Sequence, residues 1–97
     1  MLELHPGLDG VLAGSDRIAA GAIEALQANG FAVPGDVSVI GFDDHPIAQT
    51  TTPRLTTVHQ PLHEEGRLAA DIAMRMIDGE APSTTVLDME LICRDSL

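Results

Sequence analysis

Short apolar runs and longer amphipathic stretches alternate along the chain. Residues 10–14 (GVLAG) and 37–42 (VSVIGF) are almost continuously apolar, which is typical of parallel strands that are covered on both faces. Residues 55–60 (LTTVHQ) predict a third, shorter strand. Near the end of the chain, residues 84–87 and 89–93 predict two short strands or one bent strand.

Two stretches between these runs have the spacing of amphipathic helices. The first helix is predicted over residues 16–29, with Gly30 as the expected stop. Its predicted apolar stripe contains Ile18, Ala19, Ala22, Ile23 and Leu26. The second helix opens at Pro61 and ends at Gly79. Because its apolar face covers roughly half of the helical cylinder, we expect it to pack against protein that is not present in this chain.

The predicted order is strand, helix, strand, irregular loop, strand, helix and then one or two further strands. This alternation is typical of an α/β fold with a mainly parallel sheet and flanking helices. Ligands of such sheets bind outside the carboxyl ends of the strands. The residues that directly follow the predicted strands are therefore the first candidates for a binding site.

The charge of the chain argues against direct binding to nucleic acid. Fifteen Asp and Glu residues face five Arg residues, there is no Lys, and the formal net charge is -10. The Arg residues are widely spaced, whereas a nucleic-acid backbone or an anionic membrane surface attracts clustered cations. No apolar run reaches the length of a membrane span, and the single cysteine, Cys93, allows no intrachain disulfide. We expect a soluble, cytoplasmic protein that does not bind membranes.

Polar side chains follow the first two predicted strands. Asp43 and Asp44 come directly after the second strand. Because side chains of adjacent residues diverge, we assign Asp43 to the ligand and Asp44 to a structural role as the cap of a local turn. Ser15 and Asp16 hold the equivalent place after the first strand. One of them is expected to cap the first helix, and the other then faces the same cleft as Asp43.

Metal ligation has little support in the sequence. Of the four His residues, only His59 and His63 are separated by a short ligand-like spacing. Pro61 lies between them, where a strand becomes a helix, so the two imidazoles do not share a helical face. We therefore expect no metal site and no cofactor.

Catalytic motifs are equally weak. Ser15 lacks the G-x-S-x-G context of an activated nucleophile, and Cys93 lies in an apolar run where a core role is favoured. No Gly-rich phosphate loop follows a strand. We expect no enzymatic activity. A small hydrolase or metalloenzyme built on Asp43, Asp44, His45 and Ser15 is the remaining enzymatic alternative.

Five segments in this order resemble a known family. They are GVLAGSD, VPGDVSVIGFDD, PRLTTVHQP, EEGRLAADIAMRMIDG and ELICRDSL. The set closely resembles the C-terminal end of the LacI/GalR family of bacterial transcription regulators, over residues 6–95. Each segment alone means little, but the ordered set at these spacings is specific.

The resemblance implies a fold like that of the type I periplasmic binding proteins. In this fold two α/β subdomains close over a small effector, commonly a sugar or a purine-like metabolite. By this resemblance residues 1–58 and 89–97 belong to the C-terminal subdomain, and residues 59–88 form the crossover segment and a helix of the N-terminal subdomain. Operator DNA would be bound only by a helix-turn-helix that this chain lacks.

The resemblance also implies roles for individual residues. Ser15 and Asp43 occupy positions near the effector, which is expected to be a carbohydrate, and Asp16 matches the capping Asp of the family. A homodimer is implied, as in other regulators of this kind. The positions that match its contact regions are Ala20, Ile23, Ile47, Ala48, Gln49, Thr50 and Thr51. The alternative with the same fold is a solute-binding protein of a transport system.

Overall fold

The computed structural model describes residues 5–97, which divide into two compact units. The first unit contains the chain up to His59 together with the returning segment Glu90–Leu97, and the second contains Gln60–Met89. These limits lie one residue from the predicted subdomain boundaries. The assignment of the units to the subdomains of a larger protein stays a prediction.

The sheet of the first unit begins with a parallel pair. Strand β1 (Gly10–Leu12) pairs with β2 (Ser38–Ile40) in the register Gly10↔Ser38. Both strands lie inside the predicted apolar runs. The connection between them is the helix α1 (Asp16–Ala28), so the three elements form the β-α-β unit that the alternating pattern predicts.

A second, antiparallel pair completes this unit. Strand β3 (Thr57–His59) pairs with β4 (Glu90–Ile92). Isolated parallel bridges, Ile40↔Thr56 and Asp43↔His59, connect the β2 side to β3. The α/β fold class with a parallel sheet is confirmed. The strand expected over residues 84–87 is absent from the described backbone.

The core face of α1 differs from the predicted apolar stripe. The buried residues of this helix are Asp16, Ala19, Ala20, Ile23 and Leu26. Ile18 is 62% exposed, although its hydrophobicity placed it in the stripe. Relative to the predicted stripe, the buried face of α1 is rotated about the helix axis so that it includes Asp16. Small Ala20, which the predicted stripe did not include, is buried as well.

The apolar core of the first unit lies between α1 and the sheet. Its buried members are Ala13, Ala19, Ile23, Leu26, Val33, Val37, Val39, Ala48 and Leu55. Aliphatic side chains supply all of them, in agreement with a chain that has two Phe and no Trp or Tyr. Burial of these side chains is the main favourable term for folding this unit.

Asp16 is a charged residue that is buried beside this core. Its side chain is 1% exposed, and both carboxylate oxygens accept hydrogen bonds. Oδ1 accepts from the Thr57 hydroxyl at 2.5 Å, and Oδ2 accepts from the His45 backbone N–H at 2.6 Å. A buried carboxylate is tolerated when donors satisfy it in this way. Asp16 thereby joins α1, β3 and the loop after β2.

Gly41 follows β2 at the point where the chain passes closest to Asp16. A Cβ atom at Gly41 would collide with Asp16 Oδ1 and would stand 2.8 Å from Leu55 Cδ2. The backbone N–H of Gly41 donates to Thr56 O at 2.9 Å, so the strand cannot move aside without losing this bond. Glycine is required here by the close approach of the buried carboxylate.

The second unit consists of α2 (Leu62–Ile77) and the segment after it. Glu64 and Glu65 lie in the first turn of α2 and Arg75 lies in the last, where their charges complement the helix dipole. None of the residues of α2 is buried within this chain. Among the described residues, no helix is both long enough and apolar enough to cross a membrane.

We predict that Gly41→Ala lowers the free energy of unfolding by about 1–3 kcal/mol, because the new methyl group overpacks the contact with Asp16 and Leu55. The matched control is Gly10→Ala, where an added Cβ meets nothing within 4 Å, and its effect should stay within about 0.5 kcal/mol. Urea denaturation followed by circular dichroism measures both. Equal effects of the two substitutions would contradict the close approach.

We also predict that Asp16→Ala lowers the free energy of unfolding by about 2–4 kcal/mol, because the Thr57 hydroxyl and the His45 N–H lose their acceptor. Asp36→Ala is the control, since the exposed Asp36 carboxylate also accepts a backbone N–H, that of Ala32 at 2.7 Å. Its cost should be about 1 kcal/mol or less. The same denaturation measurement compares them, and a loss at Asp16 no larger than at Asp36 would refute the structural role of Asp16.

Candidate functional site

The candidate site lies at the carboxyl ends of the parallel strands. We name residues 43–45, which follow β2, the carboxylate turn. Asp43 and Asp44 have φ angles of 111° and 59°, in the left-handed region that non-glycine residues seldom occupy. Such conformations persist when the surrounding structure imposes them, and they concentrate at ligand sites.

The backbone of the carboxylate turn is held by three consecutive N–H groups. Asp43 N–H donates to Val58 O at 2.9 Å. Asp44 N–H donates to Thr57 Oγ1 at 3.3 Å, and His45 N–H donates to Asp16. Two of the three acceptors belong to β3. The path of the turn is therefore set by the neighbouring strand and by the buried carboxylate, rather than by local turn propensity.

The side chain of Asp44 forms ion pairs. Its Oδ1 accepts from Arg94 Nη2 at 2.8 Å, and its Oδ2 lies 3.0 Å from His59 Nδ1. Partial burial raises the pKa of the Asp44 carboxyl. The hydrogen bonds and positive charges of Arg94 and His59 together outweigh that effect, so its pKa lies below the ordinary value.

The expected local cap by Asp44 needs correction. Among the hydrogen bonds of the described residues, the Asp44 carboxylate accepts none from a backbone N–H. The side chain instead reaches Arg94, which lies 50 residues further along the chain. The role of Asp44 in this structure is thus a long-range one, which a turn preference could not indicate.

The helix cap is also assigned differently by the structure. Ser15 is the N-cap of α1, and its hydroxyl accepts from Ile18 N–H at 3.2 Å. Asp16, the expected cap, is the first residue of the helix and directs its carboxylate to Thr57 and His45. A serine at the N-cap is favourable, and it leaves Asp16 available for the interior.

Ser15 and Asp43 lie close together in the fold. The N–H of Asp16, next to Ser15, donates to the carbonyl of Phe42, next to Asp43, at 3.0 Å. Capping uses one acceptor site of the Ser15 oxygen, whereas a hydroxyl carries a donor and a second acceptor site. A hydroxyl and a carboxylate at one sheet edge can together bind a ligand rich in hydroxyl groups.

Three residues of this region were missed in the sequence. Thr57 and His59 hold the carboxylate turn from β3, and Arg94 holds it from the segment after β4. The available signal for Arg94 was its position as the one cation in the final strand-like run, LICRDSL. Thr57 and His59 carried no signal, because their roles depend on which strand lies beside β2.

The histidines are not clustered with other metal ligands. Within residues 5–97, no group of three or more His, Cys, Asp or Glu side chains could hold a metal ion. His45 Nδ1 accepts from Ile47 N–H at 3.1 Å, so this imidazole caps the short 3₁₀ helix Pro46–Gln49. Within the described part of the chain, the ion pair of His59 is the one with Asp44.

A groove of about 240 Å³ separates α1 from the 3₁₀ helix. It is lined by Ala20, Ile23, Glu24, Gln27, Ile47, Thr50, Thr51 and Thr52. Most positions matched to dimer contacts border this groove, and Gln49 is exposed beside it. Ala48 is 0% exposed and Ile23 is 2% exposed. Both side chains belong to the core. Ala48 therefore cannot contribute to a dimer contact, and Ile23 can do so only as the floor of the groove.

The chain is similar to known transcription regulators. A family model described as periplasmic binding protein-like domain matches residues 1–97. The ribose operon repressor of Halalkalibacterium halodurans is 38% identical over 78 residues, which are 80% of this chain and 24% of that protein. The regulator CelR of Thermobifida fusca is 38% identical over 98 residues, or 99% of this chain and 29% of that protein.

A shorter relative matches over most of its own length. The lactose operon repressor of Rhizobium radiobacter is 38% identical over 96 residues, covering 98% of this chain and 83% of that protein. Against the ribose repressor and CelR, by contrast, the chain spans 24% and 29% of the full length.

Solved structures of regulators have the same fold. The complex of the transcriptional regulator CelR with cellobiose superposes with a TM-score of 0.91 at 38% identity, over 98% of this chain and 30% of that one. The lac repressor dimer bound to operator and the anti-inducer ONPF gives a TM-score of 0.87 at 29% identity, over 99% and 34% of the two chains. The chain therefore belongs to the LacI family of transcriptional regulators and covers part of their periplasmic-binding-protein-like domain.

Proposed function

We propose that this chain is the sugar-sensing part of a bacterial DNA-binding transcriptional regulator. The observation that carries the proposal is the carboxylate turn, where Asp43 stands in a left-handed conformation beside Ser15 at the carboxyl end of β2. Membership of the LacI family supports this function over a transport protein.

The chemistry of the turn favours a carbohydrate. A carboxylate accepts hydrogen bonds from adjacent hydroxyls, and these bonds are stronger than neutral ones. Two of the similar structures are described as complexes of regulators with cellobiose and with lactose. Asp43 and Ser15 are the residues that we assign to the effector in this chain.

The mechanism is a population shift between two states of the regulator. An effector that contacts Asp43 in one state more strongly than in the other moves the equilibrium by that difference in binding free energy. The first unit would be part of the C-terminal subdomain, and the second unit part of the crossover and the N-terminal subdomain. The effector would therefore bind between surfaces of which this chain supplies one.

Operator DNA would be bound by a helix-turn-helix domain outside this chain. The chain itself has five Arg, no Lys and a net charge of -10, which is unfavourable for contact with phosphates. The protein would act in the cytoplasm, without a cofactor and without enzymatic activity. A metalloenzyme is disfavoured, because the described His and carboxylate side chains form no ligand cluster.

A homodimer would form through the groove between α1 and the 3₁₀ helix. We assign to it Ala20, Ile47, Gln49, Thr50 and Thr51, with Ile23 beneath them. The groove is lined by the exposed Thr50, the partly buried Ile47 and Thr51 and the small, buried Ala20, so a second copy can approach the backbone closely at Ala20. Ala48 is left out because it is fully buried.

We predict that Asp43→Asn weakens sugar binding by about 1–3 kcal/mol, because a charged acceptor for hydroxyl groups is lost. The protein expressed from its own gene would be titrated calorimetrically with cellobiose, lactose and ribose. Asp36→Asn, an exposed carboxylate elsewhere in the first unit, is the control and should bind like the wild type. An unchanged titration for the Asp43→Asn variant would remove Asp43 from the site.

The gene around this chain distinguishes a regulator from a transport protein. We expect in-frame coding sequence for a helix-turn-helix domain upstream. A secretion signal in that place would instead identify a solute-binding protein. Sequencing the locus decides between them.

We predict that Thr50→Arg weakens self-association at least about tenfold, because a long charged side chain enters the proposed dimer groove and stays partly desolvated there. Ala25→Arg adds the same side chain on the exposed face of α1, away from the groove, and serves as the control. Sedimentation velocity over a concentration series measures both. If the two variants associate equally, the dimer surface lies elsewhere.

A further inference from the structure

Arg94 is a largely buried cation next to the carboxylate turn. Its side chain is 12% exposed, and its guanidinium is held at two ends. Nη1 donates to Leu55 O at 2.9 Å, and Nη2 donates to Asp44 Oδ1 at 2.8 Å. The backbone N–H of Arg94 also donates to Thr56 Oγ1 at 2.8 Å. The planar guanidinium thus connects the backbone of Leu55, just before β3, to the carboxylate of Asp44.

The turn that Arg94 reaches has a strained backbone. Two adjacent non-glycine residues with positive φ cost free energy that other contacts must offset. Backbone hydrogen bonds to Val58, Thr57 and Asp16 define the path of the turn, and they leave the Asp44 side chain to be held separately. Of the two partners of the Asp44 carboxylate, Arg94 is the better shielded from solvent. Its side chain is 12% exposed, whereas that of His59 is 50% exposed.

We propose that Arg94 is a positioning residue for the effector site: by holding Asp44, it maintains the left-handed turn from which Asp43 meets the sugar. This inference rests on the proposed function, because it assigns Asp43 to the effector. It adds a residue from the segment after β4, the last strand of the chain, and this residue needs no contact with the ligand itself.

His59 is a second partner of the same carboxylate. The acidic groups that face it are Asp44, at 3.0 Å, and Glu90, its register partner on β4, while Asp43 is its bridge partner across the sheet. An imidazole changes charge between about pH 5 and 8, whereas a guanidinium stays charged throughout. The pKa of Asp44 lies below its ordinary value, so this carboxylate stays ionised over the same range.

This pairing gives a pH signature. With Arg94 present, Asp44 has a charged partner at every pH from 5 to 8, so the turn should be insensitive to pH. Without Arg94, His59 is the remaining partner of the Asp44 carboxylate, and an imidazolium holds a carboxylate better than a neutral imidazole does. A purely structural role of Arg94 in the stability of the first unit would not make the turn depend on His59.

The first test measures amide hydrogen exchange by NMR and needs no ligand. In Arg94→Met, exchange of the Asp43, Asp44 and His45 amides should accelerate at least about tenfold at pH 8 relative to the wild type. Core amides such as Val39, which donates to Ser96 O at 2.8 Å, should keep their protection. Arg94→Lys should keep part of the protection of these amides, because an ammonium group supplies the charge without the second donor group of a guanidinium.

Two variants serve as controls for this experiment. Arg54→Met removes an exposed Arg of the same unit, paired with Asp95 at 3.2 Å, and should leave the turn unchanged. The double variant Arg94→Met with His59→Gln should show the fast exchange at pH 5.5 as well as at pH 8. Comparisons are made as protection factors, which remove the intrinsic effect of pH on exchange.

The second test is calorimetric titration with cellobiose and lactose at pH 5.5 and 8. We expect Arg94→Met to weaken binding about tenfold at pH 8 and less at pH 5.5. The wild type and Arg54→Met should bind equally. Asp43→Asn is run alongside, because it tests the effector site itself.

The outcomes separate this inference from the proposed function. Unchanged turn amides in Arg94→Met, or equal acceleration of the turn and of Val39, would overturn the positioning role. Accelerated turn amides with unchanged sugar affinity, while Asp43→Asn loses affinity, would also overturn it and leave the sugar site standing. If Asp43→Asn binds sugar like the wild type, or the wild type binds neither sugar, the proposed site or the proposed ligand is wrong. The exchange of the turn amides alone then decides whether Arg94 holds the turn.

Discussion

The buried carboxylate of Asp16 is the interaction on which the first unit depends. Its two oxygens accept from the Thr57 hydroxyl and from the His45 N–H, and so connect a helix, a strand and a turn in one place. Burying a carboxylate is costly unless donors satisfy it. The helix, the strand and the turn must therefore all be in place for the Asp16 carboxylate to be buried. The same carboxylate excludes any side chain at Gly41.

The candidate site follows from this constraint. The chain leaves β2 alongside Asp16 and continues into two left-handed residues, Asp43 and Asp44. Their conformation is maintained by acceptors on β3 and by the guanidinium of Arg94. A turn held by contacts within the protein would lower the ordering cost of ligand binding. The Asp16 contacts therefore also shape the surface that we propose for the effector.

The two units of the chain differ in how much of their apolar surface they bury within this chain. The first unit has an aliphatic core of its own between α1 and the sheet. The second unit presents α2, with charged pairs such as Asp71 and Arg75 at 2.9 Å, and buries none of the residues of this helix. This contrast agrees with a chain that covers part of a periplasmic-binding-protein-like domain.

The sequence by itself determined the element order, because apolar runs and helical spacing are local signals. It also placed Asp43 at the end of a parallel strand, where ligands bind. Only the tertiary structure decided which face of α1 is buried, that Ser15 rather than Asp16 caps the helix, and that Arg94 reaches Asp44. The physical reason is distance along the chain: Asp16 meets Thr57 across 41 residues and Arg94 meets Asp44 across 50, and no local pattern records which strands become neighbours.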